Sequence, residues 1–301
     1  MMFMKSSFFL FVSLAADLSI TVAKFVAASF TGSAAMTAEA IHSVIDAGSQ
    51  LLLIWGVKSS KREPDASRPY GYGRELYYWS LLVSLVIFIL GGCISVYEGI
   101  SRLNHPALDG DPTWNYVILG FAFVFNFISM VSALKAFNAQ RQGDSFINSL
   151  IETNDPSTII VLLGDFGDLL GLIVAFLGIL LSRLHHNSAF DGYASILIGL
   201  ILIVISGFLI RESKSLLIGE SISRKVVKEI LVIVKSDQSV ITVKKYYSIY
   251  RSPEDATMQL ETVFKSHLKT KEITAAIRRI AAAIKKRFPN VTQVVIEPID
   301  L

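Results

Sequence analysis

The sequence predicts an α-helical membrane protein with six transmembrane helices followed by a small C-terminal α+β domain. Three observations carry this expectation. Of 301 residues, 52% are apolar and only 18% charged, and the mean hydropathy of +0.53 is too high for a water-soluble chain of this length. Runs of about 20 apolar residues, enough to cross roughly 30 Å of hydrocarbon, recur along the first two thirds. The charge is also divided: residues 1–210 hold 11 Lys/Arg against 15 Asp/Glu, while residues 211–301 hold 17 against 10. A hydrophobic region, 1–214, therefore precedes a basic polar one, 215–301.

The six spans are expected at about 6–29, 33–57, 76–101, 114–137, 157–182 and 190–210. Lys5 before an apolar stretch is also how a signal peptide begins. However, Asp17 interrupts that run and no small-residue cleavage pattern follows, so the segment reads as a retained helix. Lys58, Lys61, Arg62, Arg68 and Arg74 crowd the second connection, Lys135 and Arg141 flank the fourth, and Arg211 and Lys214 follow the sixth span. The opposite side carries Arg102 and Arg183. By the positive-inside rule both termini face the cytoplasm, with the cell (inner) membrane as the expected location. After Gly219 the pattern becomes amphipathic: a helix at 221–235, extended segments at 240–250 and 256–268, a helix at 271–287 and a last strand at 291–297. Ile273, Ile277, Ile280 and Ile284 recur at helical spacing in the second of these helices, and Pro289 and Asn290 stop it.

The ionisable residues inside the spans carry the functional signal, because a charge at the bilayer centre costs at least about 2.5–3.5 kcal/mol. His42 and Asp46 are four apart in the second span, and Asp165 and Asp168 are three apart in the fifth, so each pair shares a helix face. Asp155 and Pro156 start the fifth span, which places Asp165 roughly 15 Å deep. Asp17 falls at the middle of the first. One imidazole and several carboxylates form a borderline-to-hard ligand set, suited to Zn²⁺, Mn²⁺, Fe²⁺ or Co²⁺ and poor for Cu⁺. The lone Cys93 excludes a thiolate cluster or an internal disulfide.

Other polar residues have plainer readings. A single intramembrane Asp can line a water cavity or bond a neighbouring helix. Lys24, seven residues from Asp17, reads as a structural partner or a snorkelling cation. Glu39 is either a support for His42 or an interfacial residue. Tyr70-Gly71-Tyr72-Gly73 is a loop with little to suggest phosphate binding, His185 and His186 are expected in solvent, and His267 stands alone in the polar region.

Ala38-Glu39-Ala40-Ile41-His42-Ser43-Val44-Ile45-Asp46, followed by Arg68-Pro69-Tyr70-Gly71-Tyr72-Gly73, resembles the second-helix and loop signature of the cation diffusion facilitator, or cation efflux, family. Asp155-Pro156-Ser157 with Val161-Leu162-Leu163-Gly164-Asp165 is similar to the fifth-helix entry of the zinc-transporter-like branch that includes an animal mitochondrial zinc exporter. Ile296-Glu297-Pro298 is similar to the end of the family's cytoplasmic domain. The resemblance implies a homodimer of six-helix protomers with a ferredoxin-like cytoplasmic domain. It implies a transporter, not an enzyme, that exports Zn or a similar divalent ion in exchange for protons, with no permanently bound cofactor and no nucleic-acid partner. By motif, His42, Asp46 and Asp165 match metal ligands. Where the family places His or Asp four residues before the fifth-helix aspartate, this chain has Val161, and Gly164 replaces the branch's Glu. Asp168, Asp17 or water then supplies the fourth ligand.

Two other functions fit parts of the pattern. A non-transporting paralogue that assists another transporter would explain Val161. An intramembrane aspartyl protease would also bring two aspartates together, but Leu162 stands where its motif needs Gly and His42 would have no role.

Overall fold

The computed structural model describes residues 18–105, 113–140 and 155–300. Its contacts divide the described chain into two compact units. One comprises 18–56, 79–105, 113–140 and 156–212, and the other 57–78, 155 and 213–300.

The first unit is helical. Helix α1 spans Leu18–Thr31, α2 Ala34–Ser60, α3 Glu75–Asn104, α4 Thr113–Gln140, α5 Pro156–His185 and α6 Ala189–Ile218. Five of these, α2 to α6, are long and apolar enough to cross a membrane. Of the first expected span only Leu18–Thr31 is described, too short to span alone, and Asp17 lies outside the described residues. Gly32, at φ 67°, joins α1 to α2 in a left-handed conformation that costs glycine nothing, and its N–H closes onto the Ala28 carbonyl at 2.8 Å.

A buried polar clamp fixes the start of α2. Asp191, in the first turn of α6, accepts hydrogen bonds from Ser33 Oγ at 2.6 Å and from the Ala34 and Ala35 amides. Ser33 Oγ in turn accepts from the Met36 amide at 3.1 Å. One carboxylate thus satisfies helix-start donors that have no partner within the helix. Arg102 of α3 brings its Nε to 3.8 Å from Asp191, so three helices meet on one charge.

Helices α3 and α6 meet along a seam of small residues. The Gly92 carbonyl lies 2.7 Å from where a Cβ of Gly199 would be, and the Gly192 carbonyl 2.6 Å from that of Gly99. Between these crossings Ser195 Oγ donates to the Ser95 carbonyl at 2.8 Å. Apolar burial offers little drive for association in lipid, so close backbone packing and a short polar contact hold such a pair. The same face of α3 contains a π-helical stretch, Ile87–Cys93, which hydrophobic periodicity alone gives no means of foreseeing.

The second unit contains α7 (Arg224–Lys235), β1 (Val240–Ser252), β2 (Asp255–Phe264), α8 (Thr270–Arg287) and β3 (Val291–Ile299). β2 is central, antiparallel to β1 and parallel to β3. Val227, Ile230 and Val234 of α7, with Ala276, Ile280 and Ile284 of α8, bury one stripe each against Met258 and Leu260 of β2. The unit is therefore an αββαβ fold with a three-stranded mixed sheet. A full ferredoxin-like βαββαβ order has a further strand before α7, and none is present among the described residues. Residues 57–78 fold with this unit: Arg62 and Arg68 stack on the Tyr72 ring at 4.2 and 4.9 Å, and Tyr72 donates to Asp65 at 2.6 Å. Gly73 admits the Arg251 carbonyl to 2.6 Å from where its Cβ would stand, so the Tyr-Gly-Tyr-Gly loop acts as packed scaffold.

Two outcomes follow. Asp191→Ala removes the carboxylate beside the buried Arg102 and uncaps α2, and should destabilise the protein by about 3 kcal/mol in detergent unfolding. In the second unit, hydrogen bonds from Arg279 hold the Asp237 carboxyl below the usual carboxylate range. Because the folded value is depressed, this stabilisation is present above the unfolded value of about 3.9 and is lost as pH falls through the folded one. Arg279→Ala should therefore lower stability slightly at neutral pH and flatten its decline in acid, read as melting temperature against pH.

Candidate metal-transport site

Glu39, His42 and Asp46 are spaced three and four apart on α2, so they line one stripe. Asp165 and Asp168 lie on α5 among Gly164 and Gly171, which keep that helix thin where α2 approaches it, and Gly167, which admits Ile205 of α6. A Cβ on Gly164 would stand 3.8 Å from Asp46 Oδ1, and one on Gly171 would overlap Glu39 Oε1. The glycines thus set how closely the two carboxylates of α2 approach α5.

His42 Nε2 faces Asp168 Oδ1 in a close buried contact. The contact lacks hydrogen-bond geometry, and His42 Nδ1 has no hydrogen-bond partner among the described residues. Asp46 accepts a hydrogen bond from Gln50 Nε2, one turn on, at 2.8 Å. Asp165 is turned toward α4, where Ser129 Oγ donates to it at 2.9 Å. His42, Asp165 and Asp168 are all electrostatic neighbours of Asp46. A cavity of about 20 Å³ opens beside His42 and Asp46, closed by Ile87 of the π-helical stretch, Gly164 and Gly167 of α5, and Leu202 of α6. It is large enough for one water-sized occupant.

Four of the five expected site residues therefore lie on the two facing helices, and the fifth, Asp17, is outside the described residues. They are near one another without enclosing an ion: among the described residues, no three His, Cys, Asp or Glu side chains are gathered as a metal cluster. Val161, four residues before Asp165, is exposed and does not line the cavity.

Lys24 is a buried structural partner, one of its two expected readings: its Nζ reaches Glu39 Oε2 at 3.0 Å and Ser43 Oγ at 2.7 Å, so its partners among the described residues are on α2. Two opposite charges in adjacent apolar spans were the sequence signal for this pair, but their relative facing depends on how α1 packs. Gln50 was legible from its one-turn spacing to Asp46, whereas Ser129 had no signal beyond being polar in an apolar helix. His185 and His186 are exposed after α5, with His185 against the Phe190 ring at 5.2 Å.

Residues 10–218 match the cation efflux transmembrane domain. The chain is 36% identical over 219 residues to the mitochondrial proton-coupled zinc antiporter SLC30A9 of Mus musculus, covering 72% of this chain and 39% of that protein. It is 29% identical over 205 residues to metal tolerance protein C4 of Arabidopsis thaliana, covering 67% of this chain and 45% of that protein. It is 24% identical over 295 residues to the manganese efflux system protein MneP of Bacillus subtilis, covering 95% and 93% respectively. The chain thus spans about two fifths of the antiporter's length but nearly all of the bacterial protein. With the family's domain matched over more than half its length and five apolar helices long enough to cross a bilayer, the protein is a multi-pass membrane protein that belongs to the cation efflux, or cation diffusion facilitator, family.

Proposed function

We propose that the protein exports a divalent metal ion, Zn²⁺ or a similar cation, by proton antiport at a site formed by α2 and α5. The buried His42–Asp168 pair beside the cavity at Asp46 is the observation that carries this reading. Imidazole and carboxylate bind metal only when deprotonated, so metal and protons compete for the same groups. Under alternating access that competition suffices to couple opposite fluxes. The relatives named as a proton-coupled zinc antiporter and a manganese efflux protein support the same chemistry.

In this reading His42, Asp46 and Asp165 are ligands, and each exchanges a present neighbour for the metal: Asp168, Gln50 and Ser129 respectively. Asp168 already touches His42, so it is placed to follow the imidazole onto the ion as fourth ligand. Asp17 and water are the alternatives for that position. The first span completes a six-helix protomer, with both termini on the cytoplasmic side of the cell (inner) membrane. The basic region from residue 215 is small for an independent core, which favours a homodimer.

The decisive assay is metal flux into vesicles holding purified protein, with a panel of divalent ions and an imposed pH gradient. Uptake should accelerate when the gradient drives protons the other way, and a flux indifferent to the gradient would refute antiport. His42→Ala should weaken metal binding about 100-fold, by loss of a ligand. Asp168→Asn should weaken it about tenfold or more if Asp168 ligates, while parental binding in both Asp168→Asn and Asp17→Asn would assign the fourth position to water. Metal binding without flux in any ion would favour the non-transporting paralogue. Mass measurement in detergent at micromolar protein should give a dimer, and a monomer alone would contradict the assembly.

A further inference from the structure

A second ionic layer lies one helical turn from the His42–Asp168 pair, on the side of the α2 N-terminus. Glu39 precedes His42 by three residues, and Gly171 follows Asp168 by three. Lys24 reaches into this layer from α1. Both of its charges are removed from solvent, Lys24 being 2% and Glu39 0% exposed. Lys24 Nζ is held by Glu39 Oε2 at 3.0 Å and Ser43 Oγ at 2.7 Å.

The layer is built around an unfinished carboxylate. Glu39 Oε1 is buried, has no hydrogen-bond partner among the described residues, and lies against bare backbone at Gly171, where any Cβ would collide with it. An orphaned carboxylate oxygen forfeits stabilisation, so the pair contributes less to the fold than a fully satisfied one would and leaves an acceptor open. The layer lies within electrostatic reach of the site: Lys24 is a charged neighbour of Asp168, and Glu39 of His42. An ion moving from the cavity between α2 and α5 toward the α2 N-terminus meets a fixed ammonium first and a carboxylate with a free lone pair behind it.

We propose that Lys24 and Glu39 form the barrier on the α2 N-terminal side of the transport site, with the Lys24 ammonium as a tethered cation that the metal must displace from Glu39 to leave. This rests on the transport reading above. Lys24 is a positioning residue: it keeps Glu39 occupied and stays off Asp168 while the ion is bound. When Glu39 is replaced by a neutral residue, the ammonium is left without its carboxylate beside Asp168 and competes with the metal there. When both charges are removed, the barrier is open.

The test uses the full chain in zinc-loaded vesicles, comparing the parent, Glu39→Gln, and the double variant Lys24→Met/Glu39→Gln, each checked for folding by size exclusion and thermal unfolding. Glu39→Gln should raise the KM for zinc about tenfold, through a like charge placed beside the ion. Adding Lys24→Met should return zinc binding toward the parent's while abolishing the acceleration by a pH gradient, because flux then leaks past an open barrier. If Glu39→Gln does not fold, the double variant alone decides the matter, since it leaves no unpaired charge. A folded double variant with the parent's gradient response would overturn the barrier and leave the pair structural. A parent with no gradient-driven flux would instead sink the transport reading itself.

Discussion

A charge inside an apolar helix bundle must find a partner or leave, and in this protein that constraint organises the helical unit. Asp191 gathers Ser33, the start of α2 and Arg102. Lys24 gathers Glu39 and Ser43, and Asp168 meets His42. These contacts fix the start of α2 against α6, and its first half against both α1 and α5. Helix α2 is thereby the element on which the unit's ionic contacts converge. Leaving any one of these charges alone is costly because the surrounding helices offer no water to replace a lost partner.

The three contacts differ in how complete they are. Asp191 is saturated by a hydroxyl, two amides and a nearby guanidinium, and such a site has nothing left to offer a ligand. Elsewhere His42 Nδ1 and Glu39 Oε1 are buried without a hydrogen bond among the described residues, as is Arg102 Nε beside Asp191, so it is the Asp191 carboxylate, not its whole layer, that is complete. The π-helical stretch of α3 borders the same cavity through Ile87, where an irregular helix offers a place for the backbone to adjust. The seam of glycines and serines between α3 and α6 begins in that same stretch, at Gly92 against Gly199, and continues to Gly99 against Gly192.

Chemistry of the ligand set and identity of the relatives bear on the cargo in different ways. A single imidazole with carboxylates binds harder ions more readily than a histidine-rich site does. The zinc antiporter and the manganese efflux protein both lie within the chain's range of similarity. In the proposed site Val161 offers no donor, and a carboxylate or water in the fourth position would shift the balance among these ions.

The sequence by itself determined the class of molecule, because apolar length and charge placement report directly on the solvent a segment needs. The spans after the first, the amphipathic polar unit and the stripe of Glu39, His42 and Asp46 were all legible as local periodicity. So was the family, from contiguous motifs around His42 and Asp165. The tertiary structure decided what periodicity cannot carry: which charge faces which across different helices. Lys24 pairs with Glu39 on α2, Asp168 meets His42 while Asp165 turns to Ser129, and Asp191 serves as a cap for a helix 157 residues away in sequence. The three-stranded sheet and the π-helical stretch belong with these. Each depends on the rotation of one element against another, and that rotation is set by the packing of the whole unit, not by any window of the chain.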